Sequence, residues 1–281
     1  MMYRDILVHI DTSAACKERL NVALKVAKAQ DAHLTGLFLL PYPEIPRFME
    51  VQITEEIINQ QRAAMAETAK AARTQFEETC NAAGVAFSWQ ETSCPASEIA
   101  DTTAMYARHH DLTVLGQHDP ESSDPCSVSE MPDKVILTAG APVLLVPYVG
   151  KFDSIGERVM VAWKPYREAV RAMNDSMPFL EAAKSVMVLC ADPNKGARDT
   201  MPVPGVDIGE RLKCHGVNAK KETMNASGIG VGDLLLSRAA DESIDLMVCG
   251  AYGRPRLREL MLGGVTQHLL RHMTVPVLMS H

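Results

Sequence analysis

The sequence predicts an α/β protein of two similar domains, each a five-stranded parallel sheet with helices on both faces. Three observations predict it. First, the chain repeats itself: Ile6–Val8 (ILV) corresponds to Val159–Val161 (VMV) at an offset of 153, and Asp111–Gly116 (DLTVLG) to Asp245–Gly250 (DLMVCG) at an offset of 134. Second, apolar runs too short for helices alternate with stretches whose apolar residues recur at helical spacing, the pattern of a parallel sheet covered on both faces. Third, 281 residues with 47% hydrophobic and 22% charged side chains suit one large or two ordinary globular domains.

The elements follow in order. Ile6–Ile10 is the first strand, and Asp11, Thr12 and Ser13 after it are good helix-capping residues. Leu20, Ala23, Leu24 and Ala27 mark the buried face of the next helix. His33–Leu40, Ala86–Glu91, Leu112–Leu115 and Val143–Val146 complete the first set of strands, with a long helix near Glu55–Ala83 between the second and third. The second set falls near Val159–Trp163, Ser185–Cys190, Asn218–Thr223, Leu246–Cys249 and Val277–Met279. Gly116 to Pro142 and Gly250 to Pro276 both span 26 residues, so the 19 residues separating the two offsets are lost earlier. The short helix near Val206–His215, standing where the first half has its long one, accounts for them. The turn-rich Val149–Gly156 is the expected boundary, giving domains 1–150 and 151–281.

Composition excludes several function classes. With 28 Lys+Arg against 35 Asp+Glu the chain carries −7, without the basic excess that phosphate neutralisation on a nucleic acid requires. Its longest apolar runs, such as Ala141–Tyr148, fall far short of the roughly 20 residues that span a bilayer. The N-terminus shows no signal-peptide pattern. The expectation is a soluble, cytoplasmic protein with no nucleic-acid or membrane partner. Seven scattered cysteines without a C-x-x-C pair give neither a disulfide framework nor a closed zinc site. Exposure and oxidation are open to Cys94, before Pro95, and to Cys126 in the variant loop, but no neighbouring base or cation marks either as a reactive thiolate.

Ligands of open parallel sheets bind beyond the carboxyl ends of the strands. After the fourth strand of the second half come Gly250, Gly253, Gly263 and Gly264, in the spacing G-x2-G-x9-G, then Val265, Thr266 and a helical stretch. Glycines allow close backbone approach to a phosphate, and the amides of a following helix N-terminus point at the anion. Arg254, Arg256 and Arg258 add positive charge. Glycines alone leave phosphate binding and plain turn-making equally open.

With this motif, and with the Pro-Val-Leu that opens both closing strands, the whole chain resembles the universal stress protein family as a tandem of two domains. The resemblance implies a Rossmann-like fold, ATP or another adenine nucleotide (with or without Mg, and no covalent cofactor), and domains paired through their last strands. Nucleotide-binding residues would be Gly250, Gly253, Gly263, Gly264, Val265, Thr266, Lys164 and Ala191. There are departures. Gly264 stands at the motif's hydroxyl position, leaving its own amide and that of Val265, with Thr266 two residues on. Lys164 replaces the acidic residue after the first strand, as a point charge for a phosphate or as an exposed side chain beside a proline turn. Cys190 and Ala191 would form a small nucleoside-side wall. In the first half Asp11 is kept, but Asp119 and Ser129-Glu130 replace the glycines, and Asp119, Glu121, Asp124 and Glu130 would repel phosphates.

Other constellations weigh less. His109, His110, Asp111, His118, Asp119 and Cys126 suit a metal in type, but among them there is no i, i+4 His pair, and a polar loop is the simpler reading. His9 reads as a satisfied core or edge histidine rather than a catalyst, and Ser13 lacks the G-x-S-x-G elbow of a hydrolase. No catalytic residue is expected. Four functions remain in order: a nucleotide-binding stress protein without efficient chemistry, a slow ATP hydrolase, an interaction scaffold with vestigial pockets, and an adenylating enzyme. The last would want a Ser-Gly-Gly-type loop that neither half has. An apolar closing strand with unpaired amides invites pairing, so the two halves should join edge to edge, and a homodimer of whole chains is compatible with the sequence but marked by no residue in it.

Overall fold

The computed structural model describes residues 2–42, 55–191, 207–226, 228–253 and 264–281. The first half runs β1 (Asp5–Ile10), α1 (Cys16–Gln30), β2 (His33–Tyr42), α2 (Glu55–Ala83), β3 (Phe87–Pro95), α3 (Ile99–Ala107), β4 (Leu112–Gly116), α4 (Met131–Thr138) and β5 (Val143–Val146). The second half runs β6 (Arg158–Ala162), α5 (Arg167–Asp175), α6 (Met177–Ala182), β7 (Ser185–Ala191), α7 (Ile208–Cys214), β8 (Ala219–Met224), α8 (Val231–Asp241), β9 (Leu246–Gly250), α9 (Gly264–His272) and β10 (Val277–Ser280).

All ten strands form one sheet in the order β3-β2-β1-β4-β5-β10-β9-β6-β7-β8. Every pairing within a half is parallel. The halves meet where β5 pairs antiparallel with β10, Leu144 opposite Leu278. Those two leucines are equivalent positions of the repeat, so a pseudo-two-fold axis passes through their pairing. Edge-to-edge joining through the closing strands is thus what the structure contains. It removes one open edge from each half.

Strand alternation divides the interior into two layers. Ile6, Val8 and Ile10 of β1 join Val159, Val161, Val248 and Leu278 on one face, with residues of α1, α2, α5 and α6. Leu7 joins Met160, Met247 and Met279 on the other, with α3, α4, α8 and α9. Each core therefore runs beneath both halves. The stretch 149–156 that links β5 to β6 is docked on the first half: Phe152 is buried, its N–H donates to Glu18 Oε1 at 2.8 Å, and its carbonyl accepts from Lys25 Nζ.

Two readings are corrected. Asp11, Thr12 and Ser13 do not cap α1, which starts after Ala15 without a side-chain cap; Asp11 turns inward instead and accepts from Ser13 N and Oγ. Cys94 and Cys126 are buried, because β3 runs on to Pro95 and the loop after β4 folds back so that the Cys126 thiol meets the Leu39 carbonyl. Burial pushes both thiols above the ordinary range, which makes them poor thiolates.

Candidate functional site

The carboxyl ends of the central strands in each half carry different chemistry. In the first half the end of β1 is closed by an ion pair. Arg19 of α1 and Asp11 are both almost wholly buried and meet at 2.8 Å, while Arg19 Nε donates to the His9 carbonyl at 2.7 Å. Burial alone would raise the Asp11 carboxyl, but Arg19, His9 and the Ser13 hydrogen bond outweigh it and hold it well below the usual carboxylate range. Burial lowers His9 from 6.5 to about 4. The guanidinium also covers Gly116, where an added Cβ would lie 2.3 Å from Arg19 Nη1.

The loop after β4 seals this end. Asp124 accepts from Thr12 N at 2.6 Å, from the Thr12 hydroxyl and, through its other oxygen, from Cys126 N at 2.7 Å. What remains is a cavity of about 20 Å³ lined by His9, Asp11, Arg19, His118 and Cys126 among others. That is the size of one water molecule. Charge repulsion was the expected obstacle to a phosphate here. The structure adds a steric one, since the acidic loop is hydrogen-bonded into the site. The suspected metal set is divided by β4: His109, His110 and Asp111 precede the strand at the sheet's amino end, whereas His118, Asp119 and Cys126 follow it.

In the second half Ala162, Lys164 and Ala172 stand where the first has His9, Asp11 and Arg19, so the buried ion pair has no counterpart. Gly250 ends β9, and its missing side chain is accounted for by packing: a Cβ there would meet Ala169 N at 2.4 Å and the Glu168 carbonyl carbon at 2.5 Å. Gly253 lies beside Tyr166 and Glu168, with an added Cβ 3.3 Å from Glu168 Oε2. Gly264 opens α9 with no described atom within 4 Å of an added Cβ, followed by Val265, and Thr266 Oγ1 accepts from Tyr252 N at 3.3 Å. The half-buried Lys164 has its Nζ 5.5 Å from the Tyr166 ring centroid, a cation–π geometry. Ala191 closes β7 and is partly exposed. Thus Lys164, Tyr166, Glu168 and Gly253 come together, with Thr266 reached through Tyr252. Gly263, Arg254, Arg256 and Arg258 lie outside the described residues.

Sequence reasoning missed three features. Glu168 is a buried carboxylate paired with Arg167 at 2.8 Å, and nothing in the pattern at the start of α5 distinguishes it from a surface acid. Tyr252 takes a left-handed φ of 59°, which a sequence flanked by glycines does not announce. His268 and His272 form an i, i+4 pair on α9 that a count of histidine spacings would have found. His268 pairs with Asp233 at 3.0 Å, and no group of three or more metal-type ligands is assembled among the described residues.

The arrangement defines a class: two Rossmann-like α/β halves joined edge to edge, with a glycine-bearing segment after the fourth strand of one and a sealed acidic loop in the other. The universal stress protein family model matches residues 2–147 and 211–281, well over half of the chain. The chain belongs to the universal stress protein family. Lys164 and Ala191 fall between the matched regions, in the stretch that holds the departures at the second half's first two strands. Among solved structures it is similar to a universal stress protein from Archaeoglobus fulgidus, at 15% identity and TM-score 0.70, covering 98% of this chain and 95% of that one. It is also similar to the functionally unknown protein PA1789 from Pseudomonas aeruginosa, at 17% identity and TM-score 0.55, covering 99% and 92%. At such identities these likenesses speak for the fold. Among curated proteins none matches the chain significantly.

Proposed function

We propose that this protein binds one adenine nucleotide, ATP, ADP or AMP, in its second half, and serves in stress response or signalling without efficient catalysis. One contrast carries the reading. Among the described residues nothing lies within 4 Å of an added Cβ at Gly264, where α9 opens with no acidic residue in its first turn, whereas α4 has Glu130 at its N-cap and Asp133 in its first turn. The dipole at a helix N-terminus favours an anion, and negative side chains already standing there repel a second one. Gly253, Gly264, Val265 and Thr266 would face the phosphates, Lys164 would add a charge, and Ala191 would border the nucleoside.

Glu168 beside Gly253 is a negative group near the proposed phosphates. A magnesium ion carried by the nucleotide would offset that charge. The same carboxylate favours a second reading, an interaction scaffold with two vestigial pockets. Mass spectrometry of small molecules released from the denatured, purified protein separates the two. Co-purified adenine nucleotide supports the first reading; its absence, together with no calorimetric signal on adding ATP and magnesium, supports the scaffold. Turnover measured with magnesium would bring back the slow hydrolase.

A further inference from the structure

The segment leading into the second half's glycine motif is held from four sides, and one of the holds comes from the first half. Ala251 N donates to the Ser280 carbonyl at 2.9 Å, and the Ala251 carbonyl meets His281 Nδ1 at 3.0 Å. Tyr252 N reaches Thr266 Oγ1, and the Tyr252 hydroxyl donates to Asp133 Oδ1. Asp133 lies in the first turn of α4, across the β5–β10 junction. Gln267 Nε2 completes the contact, donating to both Asp133 oxygens at 2.9 and 3.0 Å.

Asp133 and Gln267 are 134 residues apart and so are equivalent positions, facing each other near the pseudo-two-fold axis. The equivalence is broken in chemistry. Only one member is a carboxylate, and only the second half places a tyrosine at the matching loop position. His118 stands at the corresponding place in the first half and faces Ser127 Oγ of its own loop at 3.5 Å. The Tyr252–Asp133 contact thus has no counterpart at His118, although the first half's loop is also held across the junction, where Gln117 Nε2 donates to the Leu270 carbonyl of α9 at 3.0 Å. The contact from Asp133 bears on a residue whose left-handed backbone must be held by its surroundings, one peptide before Gly253.

We propose that Asp133 is a positioning residue for the second half's nucleotide site, which is incomplete without the first half; the inference rests on the function proposed above. The closed first half is then kept for what its α4 does to Tyr252. Removing Asp133 leaves the phenol with the longer contact from Gln267 Nε2 at 3.3 Å, lets Tyr252 leave its left-handed conformation and misplaces the Gly253 backbone. Groups facing phosphate suffer, and those facing the nucleoside do not.

The test is calorimetric titration of the full chain and its variants with ATP and with adenosine, with magnesium present. Asp133→Ala should weaken ATP about tenfold, a typical coupling between sites, and leave adenosine unchanged. Tyr252→Phe should weaken ATP in the same sense, and the double variant should lose no more than Asp133→Ala alone, because the carboxylate's hold on the phenol is already gone in that variant. Asp133→Asn keeps an acceptor without the charge and should bind ATP like the parent, which separates positioning from electrostatics. Equal weakening of ATP and adenosine would indicate general loosening and overturn the proposal, as would an Asp133→Ala variant that keeps parental ATP affinity. A parent chain that binds neither ligand overturns the function beneath and this inference with it.

Discussion

The two halves share a strand order and a glycine at the end of their fourth strand, yet the space beyond that glycine is filled in opposite ways. Over Gly116 the first half lays an arginine side chain, and Asp124 brings the following loop down onto Thr12. Against Gly250 the second half packs the backbone of α5, with Gly253 following and no described atom within 4 Å of an added Cβ at Gly264, the start of α9. One fold can thus close the ends of its central strands in two ways: with a buried ion pair and a turn of acidic residues hydrogen-bonded over it, or with a helix backbone packed close through glycine.

Mutations at equivalent places should therefore have opposite signatures. The largest expected effect is on the second half: Gly253→Asp would put a second carboxylate against Glu168, where even a Cβ lies 3.3 Å from Oε2, and should abolish nucleotide binding. Calorimetry on the folded variant checks it, and measurable ATP affinity would break the contrast. Arg19→Ala in the first half should leave ATP binding as it was but cost about 3–5 kcal/mol of stability, because it strands the buried Asp11 carboxylate. Denaturant unfolding reads that loss. Nucleotide affinity that fell with it would mean that the first site takes part in binding.

His9 sharpens the same comparison through pH. Its folded value is about 4 against 6.5 for an ordinary histidine, so between these values the unfolded chain holds the proton that the folded chain refuses. Stability should be full above pH 6.5 and fall by up to about 3 kcal/mol as the pH drops toward 4. Asp11 acts in a lower window: its depressed value gives stability present above the unfolded carboxylate range near 3.9 and lost only below it. A His9→Gln variant should therefore flatten unfolding midpoints between pH 6.5 and 4.5, and an unchanged slope would sink the assignment. The smallest effect is at Lys164, half-buried against Tyr166. Lys164→Ala should weaken ATP by about threefold at low salt, and less as salt rises.

Much of the fold was legible because it rests on the repeat and on strand periodicity. The bounds expected for the long helix, Glu55–Ala83, and for the closing strand Val143–Val146 are those observed. The junction of the closing strands followed from an apolar edge that needs covering. The site was legible in its glycines and less so in their reasons. Gly250 admits α5, a close approach between elements far apart in sequence that no local pattern announces. Repulsion of phosphates by the first half was expected from charge, but the steric closure and Arg19 were hidden: an arginine at a helical position reads as surface until the fold turns it inward onto Asp11. Glu168 and the Asp133–Tyr252 contact were illegible for the same reason, since each gets its meaning from a neighbour brought up by tertiary structure.

The central claim, one nucleotide in the second half and none in the first, is tested most directly by photolabelling the full chain with an azido-adenine nucleotide and mapping the labelled peptides. The account predicts label on peptides carrying residues 163–191 or 250–281, lost in Gly253→Asp and competed away by ATP. Label on peptides carrying residues 9–19 or 116–128 would contradict it.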